Sequence, residues 1–171
     1  GYLEAITWSF TDERINKFFL VNSKPTKLVN PISSDLNVLR NSIYPNLIYY
    51  LKKNIDRGFE NFSLFEIGPS FEGKKPGQQK TVVCGVKTGN VNEKNWNEQN
   101  RSIDVFDIKK DVMQTLSELG LEQDDIFIND KTPQYYHPGK SGVIFAQKDQ
   151  KNILAYFGEL HPNILKELDI K

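Results

Sequence analysis

The sequence predicts an α+β fold, an antiparallel sheet flanked by helices, and three observations carry that prediction. Segments with the two-residue alternation of strands follow one another through short turns, as in hairpins. Segments with apolar residues every three to four positions are few and set apart from one another. No internal repeat or low-complexity tract organises the chain differently, and its 171 residues read as a single domain spanning 1–171, long enough to bury a core without disulfides or metal.

Taken in order, residues 3–10 set Leu3, Ala5, Thr7 and Ser9 against Glu4, Ile6, Trp8 and Phe10, which is the pattern of a half-buried strand. Residues 11–19 follow as a short helix, with Thr11 placed to cap it and Asp12 and Glu13 in the first turn, where the helix dipole favours carboxylates. The stretch KLVN is extended, because Pro31 steers Asn30 away from helical angles. Leu47, Ile48, Leu51 and Ile55 fall on one face of a helix that Arg57-Gly58 ends. In NFSLFEIGPSF a strand places Phe62, Leu64 and Glu66 on one face and Phe65 and Ile67 on the other, and Gly68-Pro69 closes it. The basic turn FEGKKPGQQK leads to the strand TVVCGVKTG, and the polar stretch NVNEKNWNEQNRS reads as a surface excursion.

IDVF then resumes a strand, and residues 107–120 form the clearest helix, with the stripe Ile108, Val112, Leu116 and Leu119, Asp107 as cap and Gly120 just past its end. The rest reads as strand DIFIN, turn HPGKSG, strand VIFAQ, hairpin KDQKN, strand ILAYFGEL, and a helix from Pro162.

Composition narrows the function. Lys plus Arg and Asp plus Glu are 22 each, and a chain of zero net charge lacks the basic excess with which a lone nucleic-acid binder displaces counterions. The single cysteine, Cys84, excludes a disulfide framework or a cysteine-rich zinc site and fits a reducing compartment, so the cytoplasm is the expected location. No apolar run reaches the ~20 residues of a membrane helix. The opening GYLEAITWSF has no signal-peptide pattern. With no Met at residue 1 and a close on LKELDIK, the chain reads as a fragment of a longer polypeptide.

Few residues offer chemistry. The turn His137–Gly142 lacks the upstream glycine of a phosphate-binding loop, since Gln134 stands there; Pro138, Gly139 and Gly142 read instead as shaping the entry to a strand. His161 before Pro162 reads as a helix boundary, and His137 and His161 lack partners at zinc-ligand spacing. Glu66, alone among apolar residues on its strand, is either an acid with a displaced pKa in a cleft or, more commonly for such a residue, a structural carboxylate paired with a buried donor or set at a wet edge. The pairs Tyr49-Tyr50 and Tyr135-Tyr136 with Trp96 suit base stacking, core packing or partner contact equally. Lys52, Lys53 and Arg57 read as a solvated helix end, and Cys84 as a small core residue.

The order of motifs says more than any one of them. ITWSF, NPISSDLNVLRNSIYPNLIYYLKKNIDRG, SLFEIGPSF, VFDIKKDVMQTLSELG, HPGKSGVIF and YFGELHPNILKELDI run in the order found in the bacterial phenylalanyl-tRNA synthetase beta subunit family, and the resemblance covers nearly the whole chain. What it resembles is the catalytically silent copy of a class II aminoacyl-tRNA synthetase core. A working core of that class carries an arginine on its motif 2 strand and a motif 3 ending in Glu-Arg. The four arginines here, Arg14, Arg40, Arg57 and Arg101, fit neither place, and SLFEIGPSF has Glu66 and Ile67 where motif 2 would stand. Without guanidinium forks, charge developing at an α-phosphate has no clamp. DIKK stands for the family's more usual Asp-Leu-Lys-Gly, a mild departure that adds Lys110.

The resemblance therefore implies a non-catalytic scaffold that binds no cofactor itself and packs against the catalytic alpha chain of an (αβ)₂ enzyme. That enzyme uses ATP and magnesium to charge tRNA(Phe), and tRNA would be met through the full complex. No catalytic, cofactor or metal residue is assigned. The stretch of residues 30–54 resembles motif 1, a dimerisation element; with Leu47, Leu51 and Ile55 facing the sheet, Leu36, Leu39, Arg40, Tyr44 and Tyr50 are expected at the partner interface. Pro31, Glu66, Gly68, His137, Pro138, Gly139, His161 and Pro162 are expected to be structural. The rival reading is a free-standing ATP-dependent amino-acid-activating enzyme of the same fold, and a third is an independent RNA-binding domain.

Overall fold

The computed structural model describes residues 1–21, 24–92, 96, 100–147 and 149–170, with the side chains of 149 and 150 excepted. Residues 93–95 and 97–99 of the expected surface excursion, and residue 148 of the expected hairpin, lie outside the described residues. The chain divides into two compact units, Gly1–Arg101 and Ser102–Lys171.

The first unit holds β1 (Leu3–Glu4), β2 (Phe10–Thr11), α1 (Glu13–Asn16) with a 3-10 turn Lys17–Phe19, β3 (Thr26–Lys27), β4 (Val38–Leu39), α2 (Tyr44–Ile55), β5 (Phe62–Phe71) and β6 (Gln79–Thr88). Two sheets result, in the orders β1-β5-β6 and β2-β4-β3. All pairs are antiparallel except β1 with β5, which is parallel. The single strand expected at 3–10 is thus two short ones. The N–H of Ala5 still donates to the Phe65 carbonyl at 2.7 Å, and the chain then leaves β5 and joins β4 at Phe10.

Gly68-Pro69 does not end β5 as expected. The ladder with β6 continues to Phe71↔Gln79, because the Pro69 carbonyl accepts from Arg40 Nε at 2.9 Å; the backbone there faces away from β6, and the missing N–H removes no ladder bond. Asp12, not Thr11, caps α1, accepting from the Arg14 N–H at 2.8 Å. Helix α2 turns Leu47, Ile48 and Leu51 inward, and Ile43, Leu47 and Cys84 form a core flanked by Ala5, Tyr44, Leu64, Val82 and Val86.

The second unit holds α3 (Val105–Glu118), a 3-10 turn Gln123–Asp125, β7 (Ile126–Asn129), β8 (Tyr136–Ala146), β9 (Asp149–Leu160) and α4 (Pro162–Glu167), with sheet order β7-β8-β9. IDVF is not a strand. Asp104 accepts from the N–H groups of Phe106 and Asp107 at 2.8 and 3.2 Å while the Asp107 carboxylate accepts from the Asp104 N–H at 2.9 Å, a reciprocal box that starts the helix at Val105. Asp107 is therefore the third helical residue rather than the cap. The apolar stripe stops at Leu116, packed with Ile144 and Phe157 beside Val105, Ile108 and Val112, whereas Leu119 is exposed at the capped end of the helix before Gly120.

HPGKSG is likewise not a turn but the first half of β8. Its pairing with β9 is irregular between Tyr136 and Ser141, and Pro138 sits in that gap, where no ladder bond is lost. Of the two glycines expected to shape this entry, Gly139 is unconstrained: an added Cβ would meet nothing nearer than the His137 ring at 3.8 Å. Gly142 is the constrained one, because a Cβ there would lie 2.5 Å from Cζ of Phe157. Gly142→Ala is accordingly expected to destabilise the chain by about 1–3 kcal/mol through overpacking. Gly139→Ala should stay within about 0.5 kcal/mol of the parent. Urea unfolding of the two variants checks the contrast, and equal losses would refute it.

Candidate functional site

Strand alternation puts Glu66 on the face of β5 that meets α2, and the chain brings Arg40 to it from the end of β4. Arg40 Nη1 lies 2.7 Å from Glu66 Oε1, with the two side chains 1% and 4% exposed. Thr7 completes the group: its hydroxyl donates to Glu66 Oε2 at 2.7 Å and accepts from Arg40 Nη1 at 2.9 Å. The Arg40 backbone is held as well, its N–H donating to the Ser9 carbonyl and its carbonyl accepting from the Phe71 N–H, both at 3.0 Å. Gly68 makes room for this arrangement, since a Cβ there would sit 2.5 Å from Arg40 Nη2. A desolvated pair is favourable in a protein interior when further hydrogen bonds support it, and here Thr7 serves the second carboxylate oxygen and Nη1 while the Pro69 carbonyl serves Nε.

This geometry corrects the expectation that Arg40 faces a partner: its guanidinium is enclosed and spent on groups of its own unit. Tyr44 is also directed inward, packing beside Ile43, Leu47 and Cys84 with its ring 5.9 Å from that of Phe19. Leu36, Leu39 and Tyr50 are half-buried, and the Tyr50 ring meets Tyr49 edge-on at 5.2 Å. Large exposed apolar side chains of this unit occur within residues 30–54, at Ile32 and Tyr49, exposed by 71% and 50%, and away from that stretch. Ile67 and Val83 are cross-strand partners on the outward face of the β5–β6 ladder, exposed by 56% and 62%. Ile6 and Trp8, exposed by 90% and 59%, alternate with the inward Ala5 and Thr7.

The remaining expected structural residues occupy local roles. His137 Nδ1 accepts from the Gly139 N–H at 3.0 Å. His161 Nδ1 accepts from the Asn163 N–H at 3.2 Å, capping α4 with Pro162 in its first turn. Pro31 is exposed in the connection between β3 and β4. Burial pushes the Cys84 thiol far above its ordinary range, so it is no nucleophile. A hollow of about 550 Å³ is lined by Asp12, Glu13, Arg14, Lys17, Ser34, Asp35 and Asn37. Its arginine is taken up by carboxylates: burial raises the Asp12 pKa, but the hydrogen bonds and charge of Arg14 outweigh this and hold it below the usual value.

Sequence reasoning missed two members of this arrangement. Thr7 looked like any inward strand residue. Asn46 reaches from α2 to donate to the carbonyls of Trp8 and Phe10 at 2.9 and 3.1 Å, and a polar residue beside the apolar stripe was its only signal.

These side chains do not fit the phosphates of ATP. The strand presents a carboxylate, and the guanidinium beside it is enclosed and already paired. Among the described residues no three His, Cys, Asp or Glu side chains are grouped to hold a metal ion, and no helix is long and apolar enough to cross a membrane.

A family model described as phenylalanyl tRNA synthetase beta chain CLM domain matches residues 1–171. The chain belongs to this family. The phenylalanine–tRNA ligase beta subunit of Paramagnetospirillum magneticum is 39% identical over 171 residues, covering 100% of this chain and 21% of that protein. The beta subunit of Rhodospirillum rubrum is 40% identical over 171 residues, with the same shares covered. The chain thus spans about a fifth of the length of these beta subunits. Among solved structures, a pyrrolysyl tRNA synthetase from Desulfitobacterium hafniense superposes with a TM-score of 0.62 at 12% identity, covering 99% of this chain and 56% of that one. That likeness is one of fold, and it agrees with the α+β, class II synthetase-like core expected for the beta chain family.

Proposed function

We propose that this chain, taken over residues 1–171 as one class II-like core, is the non-catalytic structural core of a phenylalanine–tRNA ligase beta subunit. In this reading it assembles with the catalytic alpha chain into an (αβ)₂ enzyme that uses ATP and magnesium to attach phenylalanine to tRNA(Phe) in the cytoplasm. The core itself binds neither cofactor, and tRNA is engaged through the full complex. The observation that carries the reading is the Glu66–Arg40 pair: the strand that should offer a guanidinium to an α-phosphate offers a carboxylate, and the nearest arginine neutralises it inside the protein. Leu36, Leu39 and Tyr50 remain proposed partner contacts, being half-buried on the segment that resembles motif 1.

The test is phenylalanine-dependent ATP–pyrophosphate exchange with the full-length beta chain, alone and with the alpha chain. The beta chain alone is expected at background, and the co-purified pair well above it. Exchange by the beta chain alone would restore the free-standing activating enzyme.

A further inference from the structure

The chain has two histidines, and both stand at one end of the second unit's sheet. Tyr136 pairs with Leu160 across β8 and β9, and the His161 N–H donates to the Tyr135 carbonyl at 2.9 Å, so His137 and His161 each follow directly on the same rung. Their rings make the same kind of contact. Nδ1 of His137 accepts from the Gly139 N–H at 3.0 Å, and Nδ1 of His161 accepts from the Asn163 N–H at 3.2 Å, in each case two residues further on. The first contact lies within the bulge by which residues 137–140 stand opposite the single residue Glu159, and the second caps α4, whose Ile164 is buried.

A ring nitrogen that accepts a hydrogen bond carries no proton, so both contacts require a neutral imidazole. Protonation turns Nδ1 into a donor aimed at another donor. Imidazole is the side chain that ordinarily changes charge between about pH 5 and 8. The charged groups on the surrounding elements are Lys140 and Glu159, paired with each other at 2.9 Å, Lys166 and Glu167 on α4, Asp169 after it, and Asp130 and Lys131 before β8. A carboxylate among them attracts an imidazolium, but it cannot make a protonated Nδ1 accept.

We propose that His137 and His161 form an acid-sensitive latch. Neutral, they hold the β8 bulge and the start of α4; protonated, they release both, and the hold on α4 weakens as pH falls through the imidazole range. The latch is independent of the assembly proposed above.

Asn is the fitting replacement, because its side-chain oxygen also accepts from the N–H two residues on and is favoured as a helix cap, yet it does not titrate. Hydrogen exchange of the full-length chain is read by mass spectrometry at about pH 7.5 and about pH 5.5, corrected for the intrinsic pH dependence of amide exchange. In the parent, peptides covering residues 135–142 and 160–168 are expected to exchange about three- to tenfold faster at the lower pH. In the double variant His137→Asn with His161→Asn, the corrected rates should agree at the two pH values. His161→Asn alone should abolish the response of the second peptide and leave that of the first. Parent rates that do not change with pH, a double variant that responds like the parent, or a rise spread evenly over the whole chain would each overturn the latch. Should the double variant fail to fold, the single variants are scored on their own peptides by the same criteria.

Discussion

Arg40→Ala is expected to lower the unfolding free energy by about 3–5 kcal/mol, the cost of stranding one member of a buried ion pair. The Glu66 carboxylate, 3% exposed, would keep the Thr7 hydroxyl and lose its only counter-charge within the unit's described contacts. The Pro69 carbonyl would lose its donor as well. Since a domain of this kind has about 5–15 kcal/mol in hand, such a loss approaches global unfolding. Gly68→Ala should reproduce part of it by pushing the guanidinium aside, because Arg40 is pinned on three partners and cannot swing away freely. Urea titration of both variants gives the figures, and a loss below about 1 kcal/mol for Arg40→Ala would mean that the pair is solvated, as surface pairs are.

In the second unit the corresponding weak point is apolar. Ile144 is 0% exposed on the central strand β8, opposite Ile128 on β7 and Ala155 on β9, and it packs with Leu116 and Phe157. Ile144→Ala removes three carbons from a site walled by two ladders and a helix, which cannot collapse to fill the space. A loss of about 2–5 kcal/mol is expected. Ile153→Ala, on a side chain 48% exposed, serves as the comparison and should cost far less. Comparable unfolding midpoints for the two would show that the core has been drawn in the wrong place.

Much of the fold was legible because its signals are local. The alternation along residues 61–71 put Glu66 on one face with Phe62 and Leu64, and the stripe of α2 placed Leu47 and Leu51, each from a handful of neighbours in sequence. What escaped was set by distant partners. Nothing near Glu66 announces Arg40, 26 residues earlier, so the arginine read as an exposed contact when it is a core residue. Both misread turns share one cause. Proline punctuates a sequence, yet Pro69 and Pro138 lie where β5 and β8 have no ladder bond to lose, and only the arrangement of neighbouring strands reveals that. The start of α3 was misplaced for a different reason: DVFD offers two aspartates three apart, each able to cap, and the reciprocal box is satisfied only when the first is outside the helix.

The parallel pairing of β1 with β5 also bears on how the chain reaches its fold. Thr7 and Glu66 stand 59 residues apart, whereas β5 and β6 meet across one short turn. Closing the longer span costs about 3–4 kcal/mol of chain entropy before any contact repays it. The hairpin is therefore expected to form early and the N-terminal segment to dock last. Interactions made after the barrier control the rate of opening and not the rate of closing. Weakening the Thr7 link should then steepen loss of the native state over time while refolding proceeds at the parent's pace, so the lifetime of this unit is expected to follow how firmly residues 3–7 are held to β5.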